Sequence, residues 1–316
     1  MKYIGLQAQK SSNNLKSTVL LVLFPILLLG LIYLFFFILF NGYAGDEYLE
    51  STNSIFLESA PMVILVVAAW FAIAYFSNTY IIKQATHSQT LSRKDNKRVY
   101  NLVENLCMAN GMKMPKVNII YDDSLNAFAS GINEKTYTVT LTKGIIDKLD
   151  DDELEGVIAH ELSHIRNRDV RLLIVSIVFV GIFAFIAQIA LRSLQFSSIG
   201  RSSKDKGGGI AVLVLVLVLA GIGYLFSMLF KFAISRKREY LADAGAAEMT
   251  RKPLSLANAL RKVSQDSQIE AITREDVAQL FIEHPGDESK KRSSGLSSIF
   301  ATHPPIEKRI AILEQF

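Results

Sequence analysis

Residues 160–191 read HELSHIRNRDVRLLIVSIVFVGIFAFIAQIAL. Two patterns of different kinds meet in this stretch. The first five residues carry histidines four apart, with a glutamate beside the first. On a helix, positions four apart share a face, so His160 and His164 can hold one metal ion with Glu161 next to it. The last twenty residues, 172–191, contain no Asp, Glu, Lys or Arg. A helix of roughly 20 apolar residues spans a bilayer core. A metal-binding helix that leads within eight residues into a membrane span implies a polar domain built onto membrane helices.

Moving outward, three more charge-free runs appear at residues 18–40, 60–82 and 210–230. Each satisfies the length rule for a span. A Val/Leu alternation at 212–219 has the period of a buried strand, but four such long runs favour membrane helices. The first run is longer than the roughly 7–15-residue apolar core of a signal peptide, and Asn41-Gly42-Tyr43 is not a small-residue cleavage site, so it reads as a retained anchor. The expected organisation is a tail at 1–17, a membrane hairpin at 18–82, a polar block at 83–171, a second hairpin at 172–230 and a second polar block at 231–316. The mean hydropathy of +0.27 suits such a mixture.

Charge orients the spans. The tail carries Lys2, Lys10 and Lys16 without acids, whereas 41–59 carries Asp46, Glu47, Glu50 and Glu58 without bases. By the positive-inside rule the N-terminus and residues 83–171 face the cytosol, and the first loop faces outward. The loop 192–209 is basic and orients the second hairpin poorly. A net charge of +4 on 316 residues, with no basic run interleaved with aromatics, argues against a nucleic-acid partner. The single cysteine excludes a disulfide scaffold, and half the residues being hydrophobic excludes a disordered chain.

Within the polar blocks, 94–110 reads as an amphipathic helix stopped by Gly111, and 117–121, 126–130 and 136–142 read as short strands. A helix starts near Asp151 and carries the histidine motif. Helices are also expected at 239–249, 253–263 and 305–314, with loose polar loops at 192–209 and 286–298.

Two histidines do not complete a catalytic metal site. Zinc in such sites keeps one position open to water and lowers that water's pKa to about 7. Glu161 can then take the proton as the water attacks a peptide carbonyl. Glu239 and Asp243, again four apart, are candidates for a third ligand and a carboxylate behind a histidine; the same acids also suit a plain helix start. His164 lies 8 residues before the third run and Glu239 9 residues after the fourth. With unbroken helices these are rises of roughly 12 and 13.5 Å, which puts both sets at a similar depth outside the membrane. Ligands that share one ion also require the second pair of spans to return to the same side.

The chain resembles the HtpX-like membrane zinc metalloproteases, relatives of the CAAX prenyl proteases. The resemblance rests on HELSH followed by Asn167-Arg168-Asp169, on EYLADAGAA at 239–247, on Asn126-Ala127-Phe128-Ala129, and on Thr302-His303-Pro304-Pro305 with Arg309. It covers most of residues 60–316. It implies an α+β, membrane-embedded fold: four transmembrane helices with a mostly helical gluzincin-like protease domain that contains a small β-sheet. It implies one catalytic Zn2+ on His160, His164 and Glu239, with Glu161 as general base and Asp243 orienting a ligand histidine. It also implies that residues 126–129 form an edge strand along which an extended substrate lies; the less favoured alternative by sequence alone is a turn followed by a core strand. His303 suits either an oxyanion stabiliser or a helix-entry residue. Arg309 reads better as a plain last-helix residue than as a substrate contact.

The implied activity is a zinc endopeptidase of the bacterial cytoplasmic membrane with a cytosol-facing active site. Its implied partners are the lipid bilayer and protein substrates, namely misfolded membrane proteins awaiting quality control. Two alternatives remain. One is a catalytically silent membrane scaffold, which the intact Glu161 disfavours. The other is a prenyl-protein processing protease, which the span count disfavours. A transporter is disfavoured because no span carries an ionisable residue.

Overall fold

The computed structural model describes residues 6–41, 47–197, 206–264 and 304–316. In chain order the elements are α1 (Leu6–Phe40), α2 (Glu47–Ala85), β1 (Gln89–Thr90), α3 (Lys97–Ala109), β2 (Lys116–Ile120), β3 (Ala127–Ser130), β4 (Thr138–Thr142), α4 (Lys143–Lys148), α5 (Asp151–Asn167), α6 (Asp169–Ser197), α7 (Lys206–Thr250), α8 (Pro253–Val263) and α9 (Ile306–Leu313). The fold is mostly helical with one small mixed sheet. Two compact units emerge: one from Leu15–Phe76 with Val175–Lys231, the other from Met1–Asn14, Ser77–Ile174 and Phe232–Phe316.

The first unit is a helical membrane unit. Among the described residues, four helices are long and apolar enough to cross a membrane. They pack through aromatic rings. Phe24 of α1 stacks on Phe179 of α6 at 4.0 Å, and Phe71 of α2 lies 5.9 Å from the same ring. Gly223 of α7 faces Phe183 so closely that a Cβ there would lie 2.2 Å from the ring. Small residues let membrane helices approach in this way. The Val/Leu alternation at 212–219 is helical, as part of α7. On α2, Ile64, Leu65, Val66, Ile73 and Phe76 are exposed, as suits side chains that meet acyl chains.

The second unit holds the sheet, in the order β1-β2-β4-β3. β2 and β4 are parallel, while β1 and β3 pair antiparallel to their neighbours. α5 packs on β3, α3 and α8, and α9 packs on α8. Its start is set by a capping box: Asp150 Oδ1 accepts from the Glu153 N–H at 2.9 Å, and Glu153 Oε2 accepts from the Asp150 N–H at 3.0 Å. Arg98 of α3 donates to the Ile146 and Leu149 carbonyls at 2.6 and 2.7 Å, tying α3 to the turn ahead of α5.

The structure departs from the sequence expectations in four places. α2 begins at Glu47, so most of the expected 41–59 loop is helix. No glycine or proline interrupts 47–60, and acids near a helix N-terminus favour its dipole. The short β1 and α4 were not expected. The helix expected at 239–249 is not separate, because α7 runs through from Lys206 to Thr250. The helix after the histidines, by contrast, is broken. α5 ends at Asn167, Arg168 takes a left-handed conformation (φ 61°), and α6 starts at Asp169. The depth argument therefore loses its premise on the His164 side, although the ligands still meet.

Candidate metal centre

His160 and His164 lie one turn apart on α5, and the C-terminal third of α7 lies across them. Small residues permit this approach. Ala242 and Ala246 are fully buried, and a Cβ on Gly245 would come 2.6 Å from Ser163 Oγ. Arg166 and Glu248 pair at 3.0 Å at the edge of the same contact. α7 thereby delivers Glu239, whose Oε1 lies 3.6 Å from His164 Nε2 and whose Oε2 lies 3.7 Å from His160 Nε2. One donor atom from each of His160, His164 and Glu239 falls within 4.8 Å of the other two.

A carboxylate stands behind each histidine. His160 Nδ1 is 3.0 Å from Asp243 Oδ1, and His164 Nδ1 is 3.2 Å from Asp169 Oδ2. A carboxylate only accepts, so a proton on each Nδ1 would leave each Nε2 with a lone pair. The two Nε2 atoms face each other at 3.2 Å, with the Glu239 carboxylate beside them. Two imidazole nitrogens and a carboxylate converging in this way fit a divalent cation. Two imidazoles and one carboxylate are the donor set of open, catalytic zinc sites. The charge balance agrees. Burial opposes a proton on His160, yet Asp243 and Glu239 push its pKa up to about 9. The cluster thus draws positive charge, and a metal must displace that proton.

Glu161 is buried beside the ligands at 2% exposure. Burial raises its carboxyl above the ordinary range, with Glu239 acting in the same direction; His160, His164 and the Ala129 main-chain N–H oppose the rise. The Ala129 contact follows from register. Thr142 N–H donates to the Asn126 carbonyl at 3.0 Å, so Asn126 and Phe128 direct their main-chain groups at β4. Ala127 and Ala129 direct theirs at the open edge of β3. Asn126 is pinned by Thr142, whose Oγ1 accepts its N–H at 3.0 Å, and its own Oδ1 takes the Ala127 N–H at 3.0 Å. Phe128 is fully buried in the core. Of the four residues singled out at 126–129, Ala127 and Ala129 turn their main-chain groups away from β4, and both are buried.

Arg309 lies on the last helix, α9, as expected, and its side chain is buried at 1% exposure. It donates to both oxygens of Asp243 at 2.9 and 2.8 Å, and its Nη1 lies 3.6 Å from Glu239 Oε2. Burial works against the Asp243 charge, but Arg309 and His160 overcome it and hold the carboxyl below its usual range. Asp169 was noticed in the sequence only as part of the segment after the motif, and Arg238 not at all. His303 and the loop 286–298 lie outside the described residues.

The model of peptidase family M48 matches residues 93–316. A protease HtpX homolog of Bacteroides fragilis is 65% identical over 322 residues, covering 100% of both chains. One from Lactobacillus helveticus is 36% identical over 320 residues, covering 98% of this chain and 99% of its own. The crystal structure of S. mikatae Ste24p aligns over 90% of this chain and 61% of its own at 20% identity, with a TM-score of 0.46. A relative of 65% identity from end to end, on a family match that takes in both histidines and Glu239, shows that the chain belongs to peptidase family M48 as a membrane metallopeptidase of the HtpX type.

Proposed function

We propose that the chain is a zinc-dependent endopeptidase that works in quality control of misfolded membrane proteins, with its active site on the cytosolic side of the bacterial cytoplasmic membrane. The observation that carries the reading is the placement of Glu161, buried between the three-donor cluster and the edge of β3. Zinc held by His160, His164 and Glu239 supplies a Lewis acid that lowers the pKa of water to about 7. Glu161, buried beside those ligands, would take the water's proton and pass it to the leaving amine. Asp243 holds the His160 ring in the Nδ1–H tautomer.

The substrate backbone lies extended along β3. Its N–H groups meet the Ala127 and Ala129 carbonyls, because the N–H groups of these two residues are already taken by Asn126 and Glu161. His303 enters from the segment before α9 to stabilise the developing oxyanion. The four candidate spans among the described residues support the reading of membrane-derived substrates.

The test compares purified wild type with Glu161→Gln. Both are isolated with chelator to limit self-cleavage, then given zinc and an unfolded protein substrate. Cleavage that needs zinc and occurs only in wild type is expected. Wild-type turnover in Glu161→Gln would overturn the mechanism.

A further inference from the structure

Each candidate ligand histidine has a carboxylate at its Nδ1, but only that of His160 has an assigned partner. His164 Nδ1 faces Asp169 Oδ2 at 3.2 Å. In an unbroken helix this contact could not form. Residue 169 would lie five positions beyond 164, about 140° around the helix at 3.6 residues per turn. The left-handed turn at Arg168 (φ 61°, ψ 24°) brings Asp169 back toward the C-terminal turn of α5.

Two further features hold it there. Arg238 Nη1 donates to the Asp169 main-chain carbonyl at 3.0 Å in a buried contact, and Arg238 immediately precedes Glu239. Asp169 is also the first residue of α6, where the helix dipole favours a negative charge. At 1% exposure its carboxylate is sequestered from water, so its charge is committed to protein partners. The strained turn, the buried acid and the arginine together form a mount for His164.

We propose that Asp169, turned back by Arg168 and anchored by Arg238, is the positioning residue for His164: it holds that imidazole as the Nδ1–H tautomer with Nε2 aimed at the metal. This rests on the metallopeptidase reading and extends it to the second histidine. Carboxylates behind ligand histidines commonly affect metal affinity about 10- to 100-fold.

The experiment measures zinc affinity by chelator competition and the visible spectrum of the Co2+-substituted full-length protein in detergent, for wild type, Asp169→Ala, Asp169→Asn and His164→Ala. Asp169→Ala is expected to bind zinc about 10- to 100-fold more weakly, with a shifted cobalt spectrum. Asp169→Asn should return both toward wild type, because its amide oxygen still accepts the Nδ1–H. Wild-type affinity and spectrum in Asp169→Ala, or no recovery in Asp169→Asn, overturns the proposal.

His164→Ala separates the two readings. If it too keeps wild-type affinity, the metal site itself is wrong; if it loses zinc while Asp169→Ala does not, only the positioning role fails. Should Asp169→Ala not fold, wild type alone still tests the point. In 113Cd-loaded, 15N-histidine-labelled protein, coupling must run through the Nε2 atoms of two of the five histidines, and coupling through an Nδ1 overturns the proposal.

Discussion

Glu161 separates metal binding from chemistry, since it is buried at the site but is not among the three converging donors. Glu161→Gln keeps the shape and removes the base. We expect zinc affinity within a few-fold of wild type and proteolysis reduced by about 100- to 10,000-fold, measured on one preparation so that lost metal cannot mimic lost chemistry. Arg309 makes the opposite case. Removing it leaves Asp243 charged and buried without its bidentate partner, and breaking such a pair costs about 3–5 kcal/mol. Arg309→Ala should therefore melt well below wild type even without metal, with Arg309→Lys in between. Residues whose relation is local were legible in the sequence: His160 with His164, and Glu239 with Asp243, each at one helical turn. Arg309 was not, because its partner Asp243 is 66 residues away on α7 and the two meet only through tertiary packing.

At the scale of elements, periodicity and capping located α3, β2, β3, β4, α5 and α8 to within a few residues, because each carries its pattern in its own sequence. The break at Arg168 left no such mark. A left-handed position usually announces itself by glycine, and here it is occupied by arginine. That choice tests whether the turn or the side chain matters. Arg168→Gly adopts the same conformation without strain, so zinc affinity should persist and stability should change by no more than about 1 kcal/mol. Arg168→Pro cannot reach positive φ; it should displace Asp169 and reduce both zinc affinity and the melting temperature. A second backbone constraint lies at Gly144, where a Cβ would sit 1.9 Å from the Asp123 carbonyl oxygen. Gly144→Ala must push apart the turn that leads to Asn126 and β3. A loss of about 1–3 kcal/mol is expected by thermal melting, with the edge strand beside Glu161 displaced as a consequence.

At the scale of the whole molecule, the mean hydropathy of +0.27 averages a membrane unit and a polar unit that share one chain. The ligands come from segments on either side of the α6–α7 hairpin, so a shared metal requires residues 83–171 and 231–316 to face the same compartment. The acidic segment after α1 should face the other. The chain is well suited to a labelling test, because Cys107 is its one cysteine, is buried, and has its thiol pKa pushed up to about 11 by burial. Background reaction with a membrane-impermeant maleimide should therefore be low. Single cysteines replace exposed side chains in Glu50→Cys, Lys94→Cys and Leu254→Cys. In intact cells only Glu50→Cys should react, and Lys94→Cys and Leu254→Cys should react once the membrane is permeabilised. Labelling of Lys94→Cys and Leu254→Cys from outside would reverse the orientation and place the proteolytic site away from the cytosol. A split between these two would mean an odd number of crossings between them, which is incompatible with His160, His164 and Glu239 sharing an ion. The experiment therefore tests the charge-based orientation and the metal centre separately, the first by which pair reacts and the second by whether Lys94→Cys and Leu254→Cys behave alike.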